Sequence, residues 1–125
     1  MGKRVLIIDD DLYIRDVYEE ILKNEGFDVD TAADGVEGER MLLEGGYDLV
    51  LLDIMMPKVD GLEVLRRLSI KRPAKPNGPI VVLTNLANDP VLAEAQKLGA
   101  KTYIIKSDSA PDEFLKQVKE IIGDC

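Results

Sequence analysis

Leu49-Val50-Leu51-Leu52-Asp53 runs through four branched apolar residues and then stops at a carboxylate. A strand with one wet face alternates apolar and polar side chains, whereas a run that is apolar at every position suits a central parallel strand covered on both faces. Val5 to Ile8 and Ile80 to Leu83 read the same way, and Phe27 to Ala32 and Thr102 to Ile105 complete a set of five short strands. Amphipathic stretches lie between them. Ile14, Val17, Tyr18, Ile21 and Leu22 fall on one helical stripe, as do Leu92, Ala95 and Leu98. Helix starts are signalled by Asp34-Gly35-Val36-Glu37, Asp89-Pro90 and Ser109-Ala110-Pro111-Asp112, and helix stops by Gly26, Gly45 and Gly99. Strict strand-helix alternation, five times over, predicts an α/β fold. The expected form is a doubly wound five-stranded parallel sheet with right-handed crossovers, strand order 2-1-3-4-5, in a three-layer (βα)5 sandwich. The segment from Ser69 to Pro79, basic and proline-rich, reads as a surface loop before the fourth strand.

The chain has 125 residues, within the range of one domain spanning 1–125, with 46% hydrophobic and 32% charged residues. No apolar run approaches the roughly 18 residues that cross a bilayer, so a cytoplasmic location is expected. The net charge of −8 repels phosphate backbones and anionic lipid, which argues against direct nucleic-acid or membrane binding. Histidine is absent and the one cysteine is Cys125. Catalysis by Ser-His-Asp or Cys-His groups and histidine zinc sites are thereby excluded.

Ligands of open α/β sheets bind beyond the carboxyl ends of the strands, near the point where strand order reverses. In this chain those ends carry Asp9-Asp10-Asp11, Asp53, Thr84-Asn85 and Lys106. Two carboxylates about 4 Å apart repel by roughly 4 kcal/mol at an effective dielectric near 20, and a bound cation relieves that repulsion. An all-oxygen donor set with few carboxylates favours hard Mg²⁺, and Mn²⁺ also fits. A lysine ammonium and a threonine hydroxyl opposite would stabilise a tetrahedral anion such as a phosphoryl group.

Ile7-Ile8-Asp9-Asp10-Asp11, Leu52-Asp53-Ile54-Met55-Met56-Pro57, Asp60-Gly61, Leu83-Thr84 and Tyr103-Ile104-Ile105-Lys106 occur in an order and spacing that resemble the receiver domains of response regulators, over the whole chain. The resemblance implies a flavodoxin-like fold and a switch that is not an enzyme in the ordinary sense. Asp53 would be the phosphoacceptor, taking a phosphoryl group from a sensor histidine kinase or a histidine phosphotransfer protein. Asp10 would bind Mg²⁺ directly and Asp9 through water, with the Met55 backbone carbonyl completing the protein ligands alongside Asp53. Thr84 would bond the phosphoryl group, Lys106 would pair with it, and Tyr103 would be the switch aromatic. Output would leave through the face of the fourth helix, fifth strand and fifth helix, to a partner protein or a second copy.

Some positions depart from the family pattern. Ser107 follows Lys106 where proline, often in cis, is usual, so a trans bond with local adjustment or a strained cis bond is expected. Asn85 stands where a small residue is common and would crowd the pocket. Met55 and Leu86, two residues after Asp53 and Thr84, cannot orient an attacking water, which predicts slow loss of the phosphoryl group. Asp11 reads as a first-turn acid of the first helix, Met55 and Met56 as packing residues, and Lys101, Lys116 and Lys119 as solvated charges. Pro57 and Gly61 are expected to shape the loop after the third strand. A haloacid-dehalogenase-like phosphohydrolase would place its nucleophile in Asp-x-Asp-x-Thr, but residue 13 is Tyr13. A degenerate interaction module would not need the intact acidic set. A chain ending at Cys125 is read either as a stand-alone regulator or as a receiver cut from a longer one.

Overall fold

The computed structural model describes residues 2–85, 90–106 and 111–123. Strands β1 (Arg4–Ile8), β2 (Asp28–Ala32), β3 (Leu49–Asp53), β4 (Ile80–Thr84) and β5 (Thr102–Ile105) alternate with helices α1 (Leu12–Asn24), α2 (Gly35–Glu44), α3 (Gly61–Ile70), α4 (Val91–Lys97) and α5 (Pro111–Ile122). All pairings are parallel and the order is β2-β1-β3-β4-β5, as the strand pattern anticipated.

The continuously apolar strands become central ones because their two faces meet two separate layers. Leu6, Ile8, Val50, Leu52 and Val82 point into a core completed by Leu42 of α2, Val64 and Leu65 of α3, and Leu92 and Ala95 of α4. Their sequence neighbours Val5, Ile7, Leu49, Leu51, Val81 and Leu83 point the other way, onto Tyr18 and Leu22 of α1 and Phe114 and Val118 of α5. Leu51 and Leu52 are fully buried on opposite faces; truncating either to alanine costs about 2–5 kcal/mol. The edge strand β2 exposes Asp28 and Asp30, charges that discourage pairing with another chain.

Several local signals fold as written and some do not. Asp34 caps α2 by accepting from the Glu37 amide, and Gly45 ends it at φ 78°, where only glycine is unstrained. Asp11 is the N-cap of α1, accepting from the amides of Tyr13 and Ile14, and so sits one position before the first turn where the sequence placed it. Asp60 caps α3 through the Glu63 amide, a second Asp-x-x-Glu start that the motif reading passed over. Helix α3 continues to Ile70, so Ser69 and Ile70 are helical and the connection is shorter than expected. That connection is stitched down. Ala74 N donates to Leu43 O, Gly78 N to Tyr47 O, and the Asn77 side chain bridges Tyr47 N and Leu42 O. Asp89, Ser109 and Leu86 lie outside the described residues, while Pro111 opens α5 as expected. Lys119 is not merely solvated: its Nζ lies 2.8 Å from Glu25 Oε2, tying α5 to the end of α1.

Candidate functional site

The register of the sheet brings the strand ends level. Ile8 is opposite Leu52, Asp53 opposite Leu83, and Thr84 opposite Ile105, so Asp9, Asp53, Thr84 and Lys106 emerge together at one rim. Asp9, Asp53 and Thr84 are buried there, unlike nearly every other polar side chain. Asp10 and Asn85 are exposed.

Each buried group is held by backbone as well as by its neighbours. Asp9 Oδ1 accepts from Asp11 N at 2.9 Å, and Asp53 Oδ1 accepts from Met55 N at 3.1 Å. Lys106 N donates to Thr84 O at 2.8 Å, fixing the end of β5 against β4. Lys106 Nζ then stands between the two acids, 2.8 Å from Asp9 Oδ2 and 3.2 Å from Asp53 Oδ1. Asp9 Oδ2 is fully buried, and its one close polar contact among the described residues is this ammonium.

One ammonium does not balance this arrangement. Burial, and then the charge of Asp9, push the Asp53 carboxyl up to about 7, although the Met55 amide and Lys106 pull the other way. Burial alone would lower Lys106, but contact with Asp9 and the charges of Asp53 and Asp9 more than offset it and raise its pKa. Carboxylate oxygens of Asp9, Asp10 and Asp53 lie within 4.8 Å of one another. Three carboxylates gathered in this way, two of them buried, fit a hard divalent cation such as Mg²⁺.

The loop after β3 shapes the other wall. Lys58 is left-handed at φ 67°, a conformation unfavourable for a residue with a Cβ. Gly61 is needed for space: a Cβ there would lie 2.6 Å from Asp53 O. Met55 is 70% exposed, whereas its neighbour Met56 packs in the core, so only one of the two is the packing residue expected. Tyr103 on β5 is 38% exposed. The Lys106–Ser107 peptide lies outside the described residues, and no cis bond occurs among those described.

Two residues that the motifs did not point to also reach the site. Arg15 Nη1 donates to Asp9 O at 2.7 Å, and the Tyr18 hydroxyl donates to Lys106 O at 3.4 Å. Both lie on α1. Their only sequence signal is a spacing of three, which brings them to neighbouring positions on one side of a helix.

A doubly wound α/β domain with a buried acid pair, a rim carboxylate and a lysine at the strand ends belongs to the open-sheet α/β class, whose ligand sites lie beyond the carboxyl ends of the strands. The chain belongs to the response regulator receiver domain family, whose model matches residues 5–119. It is 39% identical over 107 residues to the chemotaxis protein CheY of Treponema pallidum, covering 82% of this chain and 72% of that one. It is 40% identical over 116 residues to the transcriptional regulatory protein DltR of Streptococcus agalactiae, covering 93% of this chain but 50% of DltR. The chain thus spans about half the length of such transcriptional regulators. The crystal structure of the response regulator TrrA from Thermotoga maritima, in complex with Mg²⁺ and BeF, superposes with a TM-score of 0.78 at 35% identity, covering 95% of this chain and 98% of that one. The chain is a CheY-like receiver domain, of the family that serves as signalling switches in two-component systems.

Proposed function

We propose that residues 1–125 form one receiver domain in which Asp53 accepts a phosphoryl group from the phosphohistidine of a sensor kinase or a histidine phosphotransfer protein. The observation that carries this reading is the buried Asp9–Lys106–Asp53 arrangement at the strand ends, with its carboxylates under-compensated. A carboxylate oxygen of Asp53 attacks the phosphorus, the P–N bond breaks, and its electron pair leaves with the donor's imidazole. No histidine of this chain takes part, since it has none. Asp9, Asp10 and Asp53, with the Met55 carbonyl, would hold Mg²⁺, or Mn²⁺ in its place, which when bound neutralises charge developing on the transferred group. Lys106 exchanges a carboxylate for a phosphoryl oxygen, and Thr84 donates its hydroxyl to another.

The switch follows from contacts that exist in only one state. Phosphorylation adds acceptor oxygens beside Thr84 and Lys106, so both gain interactions absent before, and a two-state equilibrium shifts by that difference. Tyr103 is partly exposed, and its inward rotation on modification would remodel the α4-β5-α5 face for a partner or a second copy. The setting is the cytoplasm, where kinase and regulator meet; no helix among the described residues is long and apolar enough to cross a membrane. DltR-like relatives are longer, so an effector domain joined to this receiver would supply any DNA contact, which a net charge of −8 disfavours for the receiver itself.

The test is incubation with acetyl phosphate or beryllium fluoride in the presence of Mg²⁺, read by mass and by two-dimensional NMR. One saturable, Mg²⁺-dependent modification, lost in Asp53→Ala, is expected. Continuous phosphate release with turnover would make the protein a phosphohydrolase. No response to either reagent or to a cognate kinase would make it an unphosphorylated interaction module.

A further inference from the structure

The Asp9–Lys106 pair joins strands that are not neighbours. In the sheet order β2-β1-β3-β4-β5, two strands separate β1 from β5, and the sheet ties Asp9 N to Ala32 O and Lys106 N to Thr84 O, each residue to a neighbouring strand and not to the other. Two side chains of α1 reach both residues. From one helix, Arg15 reaches Asp9 O at 2.7 Å and Tyr18 reaches Lys106 O at 3.4 Å, each gripping the backbone of a residue whose side chain belongs to the ion pair.

Tyr18 is well suited to act as an anchor. It is 4% exposed, and its ring stacks on fully buried Phe114 of α5, centroids 4.0 Å apart with planes 7° from parallel. The ring is therefore held by α5 while the hydroxyl holds the end of β5. Burial and the nearby Asp9 charge push the phenol up to about 12, so it remains a donor at physiological pH. At 3.4 Å the bond is long for a hydroxyl donor, and its worth lies in direction more than in energy.

We infer that Arg15 and Tyr18 form a bracket on α1 that sets the reach of Lys106 across the site, making both positioning residues for the proposed phosphoryl transfer. Neither touches the reacting atoms: Arg15 adds a hold on the carbonyl of Asp9 and Tyr18 one on the carbonyl of Lys106, beside the sheet hydrogen bonds of their amides. The inference rests on the proposed function for its consequence in rate, but not for its structural content. A displacement of about 1 Å at a reacting group can cost up to about a hundredfold in rate, so a bracket that limits drift of this kind is worth several-fold.

Tyr18→Phe keeps the ring and its stack and removes only the hydroxyl; Arg15→Met removes the donor and keeps much of the stem. Two readings are taken on each full-length variant: the order parameter of the Lys106 ε-methylene by NMR without acetyl phosphate, and the rate of Mg²⁺-dependent modification by acetyl phosphate. The bracket predicts a more mobile Lys106 in both variants, a three- to tenfold slower modification, and a melting temperature close to that of the parent protein for Tyr18→Phe. The double variant should lose less than the product of the single effects, since both arms set one distance. Lys106 as ordered as in the parent overturns the inference, and so does a loosened Lys106 that is modified at the parental rate. If the parent is never modified, the functional reading fails, while the NMR reading still decides whether the bracket exists. Should Tyr18→Phe not fold, Arg15→Met alone, on a partly exposed helix position, carries the test.

Discussion

Removing the charge of Asp53 should stabilise the metal-free protein at neutral pH and leave it unchanged or weaker in acid. Asp53 ionises near 3.8 in an unperturbed chain and near about 7 in the folded one, raised by burial and by Asp9. Between those values the native state binds more protons than the unfolded state, so stability falls as pH rises through that window. This is opposite in sign to a salt-bridged carboxylate, whose folded pKa is depressed. A shift of about three units at about 1.36 kcal/mol each would amount to about 4 kcal/mol. Relaxation and water penetration around a buried charge reduce that, so about 2 kcal/mol is the working figure for Asp53 alone. Asp53→Asn keeps the shape and removes the repulsion. Urea unfolding in EDTA, followed by far-ultraviolet circular dichroism because the chain has no tryptophan, gives ΔG for both proteins from about pH 4.5 to about pH 8. The variant's advantage should grow from near zero to about 2 kcal/mol across the series. A difference flat with pH would refute the reasoning, whatever its size, because it would mean that Asp53 does not titrate between the two states.

Three further perturbations follow from the same geometry. Mg²⁺ at about 100 times its dissociation constant should stabilise the parent by about 2.7 kcal/mol, measured by the same urea series, and Asp10→Asn should need a higher concentration to do so. Lys106→Ala strands two buried carboxylates and should cost about 3–5 kcal/mol in EDTA at pH 7, a loss that falls as the pH is lowered and Asp53 protonates; calorimetric unfolding at two pH values checks this. Lys58→Gly removes a Cβ from a left-handed backbone and should gain up to about 1 kcal/mol by urea unfolding, because the exposed Lys58 side chain has little packing to lose.

How legible each part was in the sequence depends on whether its signal is local. Continuous apolar runs such as Leu49 to Leu52 reveal central strands because both faces of a strand are written in adjacent residues, and the terminal polar residue then marks the rim. Asp9, Asp53 and Lys106 could be placed together for that reason before any distance was known. The extension of α3 to Ile70 was not legible, since Ile70 is 82% exposed and Pro73 is the first residue that forbids a helix. Met55 misled for the same reason, an apolar side chain standing in solvent. Tyr18 fits the buried stripe of α1 so well that its hydroxyl is invisible to periodicity; which backbone carbonyl it meets depends on β5, some 88 residues away in sequence. Lys58 leaves no trace at all, because its positive φ is imposed by the loop and not chosen by lysine.

The charges at the rim suit the proposed switch better than a static salt bridge. Lys106 now occupies the space between the two carboxylates that the proposed chemistry needs, 2.8 Å from one and 3.2 Å from the other. Its hold on them is strong enough to raise its own pKa, yet it leaves Asp53 raised as well, so the pair is bound without being balanced. A cation settling among Asp9, Asp10 and Asp53 would compete with the lysine for the same oxygens, and a phosphoryl group on Asp53 would offer it new ones. The ammonium therefore has to be movable at its tip while fixed at its base. A long side chain on a tethered carbonyl satisfies both demands, which is why the grip of α1 falls on the backbone of Lys106 and not on its Nζ.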